Sequence, residues 1–347
     1  MRRVGGFALG VLVLGLALAR PVWAQQTLTV AVYGGEWGEA ISKAILKPFE
    51  QKTGVRIVVD PGVSTLTLSK LKQQKGNPVI DVAWIDGGVS ELALDDGLLE
   101  MLNTKAMASV ANMVPEAVYK SKTGEVFAFS TGYYALGLVY NKEKVKSPPG
   151  SYMDLWKAEF AGKMTLPSPA NAMGVPLFIV LAQINGGSIN NMKPAVDVLK
   201  KAKPATFFDT SGIATNLFQS GEVIVGAHYA SAAWFMADKG LPIAYTVPME
   251  GAVSGDIRVH VVKGTKNRAI AEKLADYAVS AEAQKALAEI LYVAPVAKGV
   301  ELSAKARERM PYGSGGSMKD LRILDWQAVN AKRADLTELW NKEVGKR

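Results

Sequence analysis

Residues 27–33 (TLTVAVY) read as a strand. A helical pattern follows that puts Ile41, Ile45 and Phe49 on one face, and residues 55–60 (VRIVVD) read as a strand again. Apolar and β-branched residues at a spacing of two mark the strands, the three-to-four spacing marks the helix, and Thr53-Gly54 closes it. Strand, helix and strand at this length form a parallel βαβ unit, so the chain is expected to build a parallel sheet covered by helices. The pattern recurs as a helix over 66–75, a strand over 79–85 and a short helix over 89–95.

Residues 125–140 (EVFAFSTGYYALGLVY) change character: two strand-like runs flank Thr131-Gly132, as expected of a strand crossing between two halves of the molecule. A second α/β block follows. Helices are expected over 152–160, 174–184, 192–202 and 213–220, with strands over 164–166 and 222–226. A strand over 257–262 and helices over 267–280 and 283–291 return to the first pattern. The glycine-serine patch at 313–317 reads as a surface loop.

The amino terminus points to export. Arg2 and Arg3 precede an apolar stretch over 7–19, and Val22-Trp23-Ala24 supplies the small residues of a cleavage site. The stretch is too short to span about 30 Å of hydrocarbon as a helix, so a cleaved signal peptide over 1–24 is expected. Removing its three arginines lowers the formal charge from +8 to +5. Lysine and arginine are interspersed with acids along the rest, which gives no basis for nucleic-acid binding. The absence of cysteine excludes disulfides, thiol nucleophiles and thiolate metal sites, and two histidines exclude a histidine-rich one. An exported, cysteine-free chain of this size suits a bacterial periplasm.

Catalytic signatures are missing. The sequence has no G-x-S-x-G elbow, no phosphate loop of the G-x-x-x-x-G-K-[ST] type and no H-E-x-x-H. A hydrolytic triad would have to recruit His228 or His260, and His260 lies between Val259 and Val261 in a strand pattern. Residues 33–38 stand where a dinucleotide fingerprint would, without its glycine spacing.

What the chain does carry is an ordered set of motifs: VAVYGG at 30–35, DVAW at 81–84, GLVYNK at 137–142 and GEV at 221–223 with Gly226. PMEGA at 248–252, VKGTKN at 262–267, YVAP at 292–295 and Asp325-Trp326 complete it. In this order the motifs resemble the extracellular solute-binding proteins of ABC importers, in particular the spermidine/putrescine-type group. The resemblance implies a two-lobe α/β fold of the type II periplasmic binding-protein kind, with a mixed sheet flanked by helices in each lobe and a hinged cleft between them. Lobe 1 is expected over 25–135 and 256–301, and lobe 2 over 136–255 and 302–347. The implied function is capture of a small organic solute, a polyamine or related amine favoured, for an inner-membrane ABC permease. A monomer without cofactor, metal or catalysis is expected.

Eight residues are candidates for the cleft. Trp37 follows the first strand in a glycine-rich loop, where the alternative is a cap on the next helix. Asp86 follows the strand ending in Trp84-Ile85, where the resemblance implies a ligand-binding hydroxyl; the alternative is again a helix cap. Asp256 aligns with the acid that binds a ligand ammonium in polyamine receptors, the alternative being an internal contact with Arg258. Tyr292 aligns with a cleft-lining tyrosine, whose face suits a cation. His228 and Tyr229 stand near the position of a tryptophan in those receptors. Ser168 and Asn171 lie in a loop that is acidic in polyamine receptors and here offers hydrogen bonds suited to a neutral or anionic group. The competing expectations are a receptor of the same fold for a zwitterion, an anion or ferric ion, and an exported hydrolase. Iron-binding relatives use an adjacent tyrosine pair in the second lobe, whereas Tyr133-Tyr134 lies in the crossing strand.

Overall fold

The computed structural model describes residues 26–345; the expected signal peptide and its cleavage point lie outside the described residues. The strands are β1 (Thr27–Val32), β2 (Arg56–Pro61), β3 (Val82–Asp86), β4 (Val118–Lys120), β5 (Val126–Asn141) and β6 (Met164–Pro167). They continue as β7 (Thr206–Phe208), β8 (Val225–Tyr229), β9 (Ile243–Thr246), β10 (Ala252–Val261) and β11 (Leu321–Ile323). All join one sheet in the order β2-β1-β3-β10-β5-β8-β6-β7, with β11 beside β10 and both β4 and β9 beside β5.

The opening βαβ unit forms as its pattern predicts. β1 and β2 pair in parallel from Thr27↔Arg56 to Val32↔Pro61. The connection runs helically from Gly35 to Thr53, with a π-helical turn over Ser42–Leu46, and it buries Ile41, Ile45 and Phe49. Gly54 ends it in the left-handed conformation at φ 71°, which glycine adopts without a Cβ clash.

β1, β2 and β3 form one parallel group and β6, β7 and β8 another. Antiparallel β5 and β10 lie between them and pair with each other. Strands from before residue 135 and after residue 256 share one sheet with those between them. β5 is a single strand of 16 residues. Its pairing with β10 steps from Ile257↔Gly132 to Arg258↔Ser130, leaving Thr131 as the extra residue of a β-bulge. The Thr131 hydroxyl accepts the Trp84 indole N–H at 3.1 Å and donates to the Ile257 carbonyl at 3.2 Å. The two runs expected on either side of Thr131-Gly132 are thus one strand, bent at that point.

Several elements depart from expectation. The helix expected over 152–160 is two 3-10 turns, Tyr152–Trp156 and Ala158–Phe160, separated by extended Lys157. The strand expected over 222–226 begins only at Val225 and runs on to Tyr229, placing Tyr229 at its end. The last helix, Trp326–Glu343, starts at Asp325, whose carboxylate accepts the backbone N–H groups of Gln327 and Ala328. It touches helices of both halves: Gly174–Ile184 and Lys193–Lys201 on one side, Val89–Asp95 on the other. Among the described residues no helix is long and apolar enough to cross a membrane.

Candidate functional site

The carboxyl ends of β1, β2 and β3 face those of β6 and β8 across a cavity of about 970 Å³. Ends of parallel strands leave backbone groups and connecting loops free to meet a ligand. Tyr33 and Trp37 reach the cavity after β1, Ser64 after β2 and Asp86 at the end of β3. Asn171 follows β6, Tyr229 ends β8, and Tyr134 enters from β5. Gly38 allows the turn after β1, because a Cβ there would lie 2.0 Å from the Tyr33 carbonyl oxygen.

Asp86 is the electrostatic centre. Its Oδ1 accepts the hydroxyls of Tyr33 at 3.0 Å and Tyr134 at 3.2 Å, and its Oδ2 accepts that of Ser64 at 2.7 Å. The Asp86 N–H returns a bond to Ser64 Oγ at 3.0 Å, tying the loop after β2 to the end of β3. A carboxylate offers about four lone-pair sites, so three hydroxyl donors leave room for about one more. No lysine or arginine among the described residues forms an ion pair with Asp86. Burial raises its pKa above the ordinary 3.8, and the three hydroxyl donors oppose that rise. Burial and the Asp86 charge also hold the Tyr33 and Tyr134 hydroxyls well above 10, so both stay protonated as donors.

Aromatic rings wall the space. Trp37 meets Tyr134 edge to face at 5.6 Å and Tyr33 at 6.1 Å, while Tyr134 meets Tyr229 at 5.6 Å. Tyr229 donates to Asn171 Oδ1 at 2.7 Å, and Asn171 Nδ2 donates to the Asp209 carbonyl at 3.3 Å. At the mouth, Glu36 in the first turn of the helix after β1 pairs at 3.3 Å with Lys239, which follows the helix Ala230–Asp238. One carboxylate with spare acceptor capacity, set among π faces, is built to hold a positive group.

Four of the eight sequence candidates line this cavity: Trp37, Asp86, Asn171 and Tyr229. The other four do not. Asp256 is buried and bound by Arg258 at 2.7 and 3.1 Å, so its charge is answered inside the protein. Arg258 also donates to Glu91 at 2.6 Å and lies 3.4 Å over the Tyr119 ring. Tyr292 ends the helix Ala281–Leu291 with φ 54° and turns its hydroxyl to Asp238 at 2.9 Å, packing near Ala306, Met310 and Trp234 instead of the cavity. His228 alternates to the face opposite Tyr229, where it stacks on Phe218 and meets Phe208 edge to face; burial holds its pKa down at about 3. Ser168 stands just outside the lining and donates its hydroxyl to the Asp209 carboxylate. The cavity also holds Tyr33, Ser64 and Tyr134, which the sequence signals only through VAVYGG and the Tyr133-Tyr134 pair.

His260 shares a hydrogen bond with Ser90 at 2.7 Å, but its other ring nitrogen faces the Ala83 carbonyl at 3.1 Å, and neither residue lines the cavity. Both residues are fully buried, so neither is presented to a solute in the cavity. Among the described residues no group of three or more histidine, aspartate or glutamate side chains is arranged for a metal ion.

The sequence profile of the bacterial extracellular solute-binding proteins matches residues 44–311. The gamma-aminobutyric acid-binding protein of Pseudomonas aeruginosa is 28% identical over 303 residues, covering 82% of this chain and 81% of that one. The spermidine/putrescine-binding periplasmic protein of Escherichia coli is 24% identical over 293 residues, with 82% and 81% covered. An ABC transporter substrate-binding protein from Bradyrhizobium japonicum has the same fold, with a TM-score of 0.77 over 92% of this chain and 99% of that one at 18% identity.

Proposed function

The chain belongs to the bacterial extracellular solute-binding proteins, and from that premise we propose that it captures a small organic solute bearing a protonated amine and hands it unaltered to an ABC permease. The observation that carries the reading is Asp86: a half-buried carboxylate in an aromatic-walled cavity, with three hydroxyl donors and no cation paired to it among the described residues. A charge in such a place is costly unless a partner arrives, and an ammonium supplies the partner. The relatives named for gamma-aminobutyric acid and for spermidine and putrescine support this, since those solutes share an amine.

The lobes are 25–135 with 256–301 and 136–255 with 302–347, and the protein acts as a monomer in the periplasm after its leader is removed. Solute drawn between the two groups of strand ends favours the closed arrangement by binding it better than the open one. Titration calorimetry with diamines, polyamines and ω-amino acids tests the reading, together with mass spectrometry of the recovered solute. Binding that is lost in Asp86→Asn, with the solute intact, is the expected result. Turnover of any of these compounds, or unchanged affinity in Asp86→Asn, would overturn it.

A further inference from the structure

We propose that Arg333 is the anion anchor of the cleft, so that the solute is a zwitterion with an ammonium at one end and a carboxylate at the other. This deepens the reading above and rests on Asp86 as the ammonium site. Arg333 belongs to the last helix, beyond the segment matched to the family, and it lines the same cavity as Asp86. Its Nε donates to Asn330 Oδ1 at 3.1 Å, and Asn330 Nδ2 donates to the Gly88 carbonyl at 2.6 Å. These bonds fix the helix against the loop that leaves Asp86. A Cβ on Gly88 would lie 2.8 Å from Trp326 Cε3 and 3.1 Å from Arg333 Nη2, so glycine leaves room for the helix to pack this close to the loop.

Among the described residues no acid pairs with the guanidinium. Neither η nitrogen has a hydrogen-bond acceptor among them. Glu91 is the acid whose charge it feels, yet Glu91 already accepts Arg258 through Oε1 and the Gly88 N–H through Oε2, each at 2.6 Å. Burial lowers the Arg333 pKa, the direction expected of a cation short of partners. A planar fork of free N–H groups matches a carboxylate with two parallel bonds.

The charge balance selects the kind of solute. The lining carries three carboxylates, Glu36, Asp86 and Asp209, against Lys239 and Arg333; Glu36 and Lys239 pair at the mouth, Asp209 is exposed at the rim and accepts Ser168, and Asp86 and Arg333 remain as opposite charges within. A phosphate dianion would meet a single guanidinium, and a diamine would set its second ammonium near that same cation. An amino acid with separated charges meets both groups correctly.

The test measures affinities of α,ω-diamines, ω-amino acids, aminoalkyl phosphates and unsubstituted monocarboxylates of three to six carbons. The wild type is expected to prefer an ω-amino acid at least tenfold over every diamine and aminoalkyl phosphate. Arg333→Gln should lower amino-acid affinity at least tenfold and raise diamine affinity, and Arg333→Lys should restore part of the loss. Thermal melting of both variants near the wild-type midpoint excludes a folding defect. Diamines or aminoalkyl phosphates binding as tightly as amino acids, or amino-acid affinity unchanged in Arg333→Gln, would overturn the anchor; if Asp86→Asn still abolishes diamine binding, the amine reading survives. Failure of every amine in the series would overturn both.

Discussion

Arg258 grips Asp256 from two positions along the same strand, with Nε–Oδ2 and Nη2–Oδ1 distances of 2.7 and 3.1 Å. Both side chains are almost wholly buried. The pair belongs to the fold: removing Asp256 leaves two donors of a buried guanidinium without an acceptor, with Glu91 at 2.6 Å as its remaining acid. Asp256→Ala is expected to lower unfolding stability by roughly 3–5 kcal/mol, measured by urea denaturation. A loss below about 1 kcal/mol with strongly weakened solute binding would return Asp256 to the site.

Asp86 should make amine binding depend on pH. Its pKa in the free protein is raised above 3.8 by burial, and a bound ammonium favours the ionised form. Affinity for an amine is therefore expected to fall as pH drops through that raised value, with proton release on binding in the same window. Calorimetry in buffers of different ionisation enthalpy reads both effects, and Asp86→Asn should show neither.

Trp37 contributes a ring to the cavity wall beside Tyr134. Trp37→Ala is expected to weaken amine binding by roughly 0.5–2 kcal/mol, the range of a cation–π contact. The variant should also lose part of the tryptophan fluorescence change that accompanies solute addition in the wild type. An undiminished change would place the reporting tryptophan elsewhere.

The two histidines should penalise the fold in acid. Burial holds both at about 3, against 6.5 for the free side chain. Below 6.5 the unfolded chain takes up a proton at each that the folded chain refuses, so stability falls with falling pH by up to roughly 1.4 kcal/mol per unit per histidine. His228 stacks between phenylalanines and leaves Nδ1 without a partner, so His228→Phe should remove its share of that slope. Denaturation midpoints at pH 7, 5.5 and 4.5 give the comparison, and equal slopes in the two proteins would contradict it.

The Glu36–Lys239 pair spans the mouth in the open to solvent. Exposed pairs contribute about 0.2–1 kcal/mol and are screened by salt. Lys239→Ala is expected to speed solute release no more than about fivefold at low ionic strength, with the difference vanishing at high salt. Stopped-flow fluorescence measures it.

The parallel groups and the long crossing strand were legible because their apolar spacing is local and strong. The positions of side chains around the cavity were legible only where a strand end announced them, as at Trp37, Asp86 and Tyr229. Asp256 misled because alignment says where a carboxylate stands along a strand, whereas its partner two residues on decides whether the charge is free. Tyr292 was misplaced because its left-handed backbone turns the ring away from the direction a strand or helix would give it. Arg333 gave no sequence signal: it sits on an exposed-looking amphipathic helix, and only the contact of Asn330 with Gly88 brings it inward. Ser64 and Tyr33 required knowing that three strand ends converge on one carboxylate.

The bulge at Thr131 imposes a parity rule on the longest strand. Each residue counted along a strand changes side, so one extra residue reverses which of two neighbours looks into the cleft. Tyr134 bonds Asp86, while Tyr133 turns the other way to Tyr119 and the Glu116 carbonyl. A chain shortened by one residue between Val126 and Tyr134 would have to surrender the bulge or exchange those two rings. Family members that differ in length by an odd number in this strand are therefore expected to recognise different solutes, even with every wall residue retained.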